Sequence, residues 1–110
     1  QLLEDAHALV DAGAFALVLE GVPSEVASMI SDSIPIPTIG IGAGGGCDGQ
    51  ILVFHDVVGL SVGPAPKFVR RYANLSEVIL NALANLAKDI NSGDFPDESE
   101  CYKFEGKLPE

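Results

Sequence analysis

Basic side chains are scarce in this sequence: 6 Lys and Arg stand against 16 Asp and Glu, giving a formal charge of −10. Such a balance repels a phosphate backbone and provides no basic surface to steer one in, so nucleic acid is not an expected partner. Cysteine is nearly absent. Cys47 and Cys101 lie far apart with no C-x-x-C spacing, which points away from a zinc or redox motif and toward free thiols in a reducing compartment. No apolar run approaches the roughly 18 residues of a membrane span, and "QLLEDAHALV" lacks the basic start of a signal peptide. A soluble chain in the cytoplasm is expected, or in the mitochondrion if a transit peptide has been lost. Also missing are a G-x-S-x-G elbow, a metal-spaced group of His, Cys and carboxylates, an internal repeat and a low-complexity linker.

What is present is a core. With 110 residues, 47% of them hydrophobic, the chain can form one domain or part of one. "LLEDAHALVDAG" spaces Leu2, Leu3, Ala6, Leu9 and Val10 as a helix does and ends at Gly13, a natural C-terminal stop. "AFALVLEG" then reads as a strand buried on both faces. "PSEVASMISDSI" opens with Pro23, suited to a first helical turn, and puts Val26, Met29 and Ile30 on one face. In "IPIPTIGIG" Pro35 and Pro37 exclude helix, so a second strand starts near Pro37.

This α-β-α-β order predicts parallel strands covered by helices, in an open α/β sheet or a barrel. Parallel neighbours need a crossover, so "DGQILVFHDVVGL" is expected to be helical over 49–57 with a short strand over 59–62. In "PKFVRRYANLSEVILNALANLAKDINSG" Ser76 is a plausible N-cap, Val78, Ala82, Leu83 and Leu86 form a stripe, and Gly93 ends the helix. The organisation expected is an α/β region over 1–93 and an acidic tail over 94–110, the latter carrying Phe95, Tyr102 and Phe104 as possible docking residues.

"GIGAGGG" contains the spacing G-x-G-x-x-G at Gly40, Gly42 and Gly45. A dinucleotide site would need an acidic residue about 20 positions further on. That position falls near Ala65, and Asp56 comes too early. Two readings stay open: the glycines only turn the chain tightly off a strand end, or they bare the backbone so that a ligand can approach the rim of the sheet.

Glu20 ends "ALVLE", placing an ionisable group where an apolar strand emerges at that rim, on the face of Ala16 and Val18. Burial there would raise its pKa toward the range useful for proton transfer, whereas a solvated strand-end glutamate would be ordinary. His55 and Asp56 are adjacent, about 100° apart if helical, so capping or hydrogen bonding fits them better than a catalytic dyad. His7, in mid-helix, reads as a surface or satisfied histidine.

Together the blocks "AGAFALVLEGVP", "IPTIGIGAG", "CDGQILVFHDVVGL", "PKFVRRYANL" and "INSGDFPDE" make the chain resemble the ketopantoate hydroxymethyltransferases. The resemblance implies the C-terminal part of a (β/α)8 TIM barrel: about its last three strands, starting in the helix before the sixth, plus the C-terminal helices. It implies transfer of a hydroxymethyl group from 5,10-methylenetetrahydrofolate to 3-methyl-2-oxobutanoate, giving 2-dehydropantoate for pantothenate and coenzyme A synthesis. It further implies Mg2+ whose ligands lie in earlier strands, a homo-oligomer, and Glu20 as the general acid/base, with no metal ligand or cofactor-binding residue assignable here. Gly21 stands where the family often carries a cysteine. Such a remnant should expose sheet edges and an apolar face and lack activity by itself. The competing expectations are another magnesium-dependent barrel enzyme acting on keto acids or phosphoenolpyruvate, and a non-catalytic α/β fragment that associates with other subunits.

Overall fold

The computed structural model describes residues 1–110, which form two compact units, Gln1–Ala73 and Asn74–Glu110. In the first, helix α1 spans Leu2–Asp11 and stops as its sequence requires. Gly13 turns into the left-handed region at φ +96°, its N–H donates to the Val10 carbonyl (2.9 Å), and the Ala14 N–H reaches back to Leu9 (3.0 Å). Strand β1 is Leu17–Glu20, helix α2 is Ser24–Ser33 and strand β2 is Thr38–Ile41. Pro23 is the residue before α2 rather than part of its first turn; its ψ of 137° is still extended.

A third strand, β3, is only Gly49–Gln50, and the sheet order is β1-β2-β3, all parallel. This corrects the expected helix over 49–57 and strand over 59–62: the strand comes first, helix α3 is confined to Phe54–Val57, and residues 59–62 form no strand. The reason is the connection over 42–48. It returns from the end of β2 to the start of β3 without a helix, because its glycines let bare backbone lie against α2. A Cβ on Gly44 would collide with the Ser24 side chain, and one on Gly46 with that of Ser28. Gly42 and Gly44 also adopt positive φ, +65° and +76°.

The returning loop is fastened at its far end. Thr38 is completely buried, and its N–H donates to the Asp48 carboxylate at 2.8 Å. The Asp48 N–H donates in turn to the Thr38 hydroxyl (3.2 Å), which also lies 2.6 Å from the Ser31 hydroxyl. Every polar group at this buried junction therefore has a partner. One carboxylate ties the start of β2 to the start of β3, and a serine ties both to α2.

The core lies on one side of the sheet. Leu17 and Leu19 of β1 share it with Ala6 of α1, Ala27 and Ile30 of α2, Ile34 and Ala43. Register puts Val18 beside Ile39 and Glu20 beside Ile41, with side chains on the opposite face. There Ile41 is buried, but Val18 is 61% exposed. Burial of β1 on both faces is thus not what the structure has: its residues alternate between buried and exposed. The exposure on this face is therefore confined to β1. In α2, Ala27 and Ile30 are buried while Met29, expected inside, is exposed.

The second unit consists of helix α4, Leu75–Ser92, and a single 3-10 turn over Glu98–Glu100. Asn74, not Ser76, is the N-cap, and Gly93 ends the helix at φ +83°. The break between units thus falls ahead of α4, and the acidic tail belongs with that helix. No residue of α4 is buried; Val78, Leu83 and Leu86 of the expected stripe are all exposed. Phe95, Tyr102 and Phe104 are exposed as well. No helix in the chain is long and apolar enough to cross a membrane.

Candidate active-site rim

Because the strands are parallel, β1 and β2 end at the same edge, where ligands of α/β sheets bind. Glu20 is the last residue of β1, and the Gly21 N–H donates to the Ile41 carbonyl (2.9 Å), carrying the pairing one residue past it. The carboxylate is exposed and has no hydrogen-bond or ionic partner. The burial envisaged for Glu20 is therefore not found in these residues, since β1 is an edge strand and Glu20 stands on its open face. The position on the rim is as the strand pattern required.

Just beyond Glu20 lies a cleft of about 670 Å³. Its walls are Gly21, Val22, Pro23 and Ser24 after β1, Gly42 and Gly44 after β2, and Lys67 with Phe68 from the later segment. A second, shallow cleft of about 570 Å³ runs along the other side of the glycine loop, lined by Gly45, Cys47, Asp48 and Gln50 among others. The Gln50 amide donates to the Gly44 carbonyl at 2.7 Å and so holds the loop between the two clefts. The glycines turn the chain and approach α2 closely, as the first of the two readings has it, and Gly42 and Gly44 also line the cleft.

Lys67 and Phe68 were not singled out from the sequence. Phe68 packs its ring on Gly42, where a Cβ would lie 2.5 Å from its Cδ1. The available signal was charge: Lys67, Arg70 and Arg71 are half of the chain's 6 basic residues within five positions. Asp48 is the clamp on Thr38.

His55 and Asp56 form no dyad. The Asp56 carboxylate accepts from the Ser61 hydroxyl, and the His55 ring meets Phe54 edge-on with centroids 6.0 Å apart. The two cysteines are unpaired. No three His, Cys, Asp or Glu side chains converge to hold a metal ion, so these residues do not fit a magnesium site of their own.

The family model for ketopantoate hydroxymethyltransferase matches residues 1–98. A Bradyrhizobium diazoefficiens protein named 3-methyl-2-oxobutanoate hydroxymethyltransferase 2 is 55% identical over 108 residues, 98% of this chain and 37% of that protein. Proteins named 3-methyl-2-oxobutanoate hydroxymethyltransferase from Parabacteroides distasonis and Carboxydothermus hydrogenoformans are 53% and 50% identical over 93% and 100% of the chain. The chain spans 37% and 40% of the length of those two relatives. Agreement at this level across the sheet, the glycine loop and the helix beyond shows that the chain belongs to the ketopantoate hydroxymethyltransferase family.

Proposed function

We propose that these residues form the C-terminal part of a (β/α)8-barrel enzyme that hydroxymethylates 3-methyl-2-oxobutanoate, using 5,10-methylenetetrahydrofolate, to give 2-dehydropantoate. The observation that carries this reading is the 50% identity to a named transferase across 100% of the chain. In a closed barrel the bare face of β1, with Val18 and Glu20, would point inward, which accounts for its exposure here.

The chemistry balances with one water: keto acid, methylenetetrahydrofolate and water give 2-dehydropantoate and tetrahydrofolate. The hydrogen on C3 of the keto acid leaves as a proton, C3 and the oxygen of the water each form a bond to the one-carbon unit, the two bonds from that carbon to folate nitrogens break, and the freed nitrogens end with the C3 proton and one from the water. Glu20 is the base that takes the C3 proton and the acid that returns one. A carboxylate suits this role because it can accept a proton from carbon and hand one back. Magnesium, if used, takes its ligands from outside these residues.

The test is Glu20→Gln in the full-length protein. We expect kcat to fall by about 10²- to 10⁴-fold, with keto-acid binding retained; unchanged kcat removes Glu20 from the mechanism. The 110-residue chain alone should show no turnover, because its rim is open on the side that a barrel would close.

A further inference from the structure

The segment 60–73 makes a basic strap across an acidic chain. No Asp or Glu occurs between Asp56 and Glu77, whereas Lys67, Arg70 and Arg71 lie there, in a protein of net charge −10. None of the three has a hydrogen-bond or ionic partner; the one ion pair in the structure joins the N-terminus to Glu4. Unpaired cations so grouped are available for an anion from outside.

The strap is also fixed in place. Phe68 seats its ring on Gly42 at the end of β2, and the Tyr72 N–H donates to the Val57 carbonyl at 2.8 Å. Lys67 is next in sequence to the seated Phe68, and both stand on the wall of the cleft just past Glu20.

From this geometry we propose that Lys67 binds a substrate carboxylate at the rim, with Arg70 and Arg71 adding to the local positive field. The inference rests on the reading under Proposed function and gives it a positioning residue distinct from the base. Two carboxylates could reach the cleft, that of the keto acid and those of the folate glutamate; the chemistry recognised is the same. Lys67 stands outside the strand ends, so its contribution is to hold a group that does not react.

The experiment uses the full-length protein with Lys67→Gln, Lys67→Arg and, as a charge control at a residue that does not line the cleft, Lys88→Gln. KM for each substrate and kcat are measured over a range of salt concentrations. Loss of a charged contact predicts that Lys67→Gln raises KM for one of the two substrates about tenfold, with a smaller fall in kcat. Lys67→Arg should recover most of that loss, and wild-type KM for that substrate should rise more steeply with salt than that of Lys67→Gln. Whichever KM moves identifies the carboxylate. A working wild type whose two KM values are unmoved by Lys67→Gln, or are moved equally by Lys88→Gln, overturns this inference alone. A wild type that forms no 2-dehydropantoate overturns the functional reading and this inference with it.

Discussion

Gln1–Ala73 and Asn74–Glu110 are both rich in apolar residues at regular spacing, yet only the first buries any of them. In the first unit a parallel sheet gives α1 and α2 a surface to cover, and Ala27 and Ile30 reach 0% and 1% exposure. In the second, α4 carries an apolar stripe through Val78, Leu83 and Leu86 with all three exposed. Amphipathic periodicity therefore identifies a helix without supplying the layer it packs on. What holds the second unit is local: an αL stop at Gly93 and a capping box at Asp97.

The largest effect expected from this contrast comes from matched truncations. Ile30→Ala removes three carbons from a close-packed site and should cost about 2–5 kcal/mol. Leu83→Ala removes as many from an exposed face and should change stability by less than about 0.5 kcal/mol. Urea denaturation of the 110-residue chain measures both. A loss above about 2 kcal/mol from Leu83→Ala would mean that the α4 stripe is covered after all, and the comparison between units would fail.

A smaller effect tests the glycine crossover within the first unit. Gly46→Ala places a methyl into the Ser28 side chain, and overpacking of this kind costs about 1–3 kcal/mol. Gly45→Ala meets nothing within 4 Å and lacks a positive φ, so it should be neutral within about 0.5 kcal/mol. Equal midpoints for the two variants would show that the loop does not lie on α2.

The same crossover explains what was legible in the sequence and what was not. The α-β-α-β order, the start of β2 after Pro37 and the helix stops at Gly13 and Gly93 follow from local residues, because proline and glycine act within one or two positions. The strand β3 did not follow. It is two residues long, and the connection before it has no periodicity, only glycines whose purpose depends on Ser24 and Ser28 far back in the chain. Likewise "LVLE" is apolar enough for two buried faces, but whether the second is covered depends on what packs there. At the rim, strand alternation located Glu20, whereas Phe68 could not be placed because its seat is Gly42, on another strand's loop.

The smallest effect belongs to the second unit and is a matter of pH. Asp97 is fully exposed, and its carboxyl is held below the usual aspartate range chiefly by the Ser99 hydroxyl, then by the Ser99 and Glu100 N–H groups. A folded-state pKa lowered in this way contributes stability that is present above the unfolded value, about 4, and is lost as pH falls through the folded value. The turn over Glu98–Glu100 should therefore loosen only below about pH 4, without disturbing the first unit. An NMR titration of the Asp97 carboxyl should give a midpoint below the ordinary one, and Ser99→Ala should move it upward by removing the main donor. An ordinary midpoint unaffected by Ser99→Ala would show that the capping box is not formed in solution. The second unit would then have lost one of the two local devices that distinguish its order from the core packing of the first.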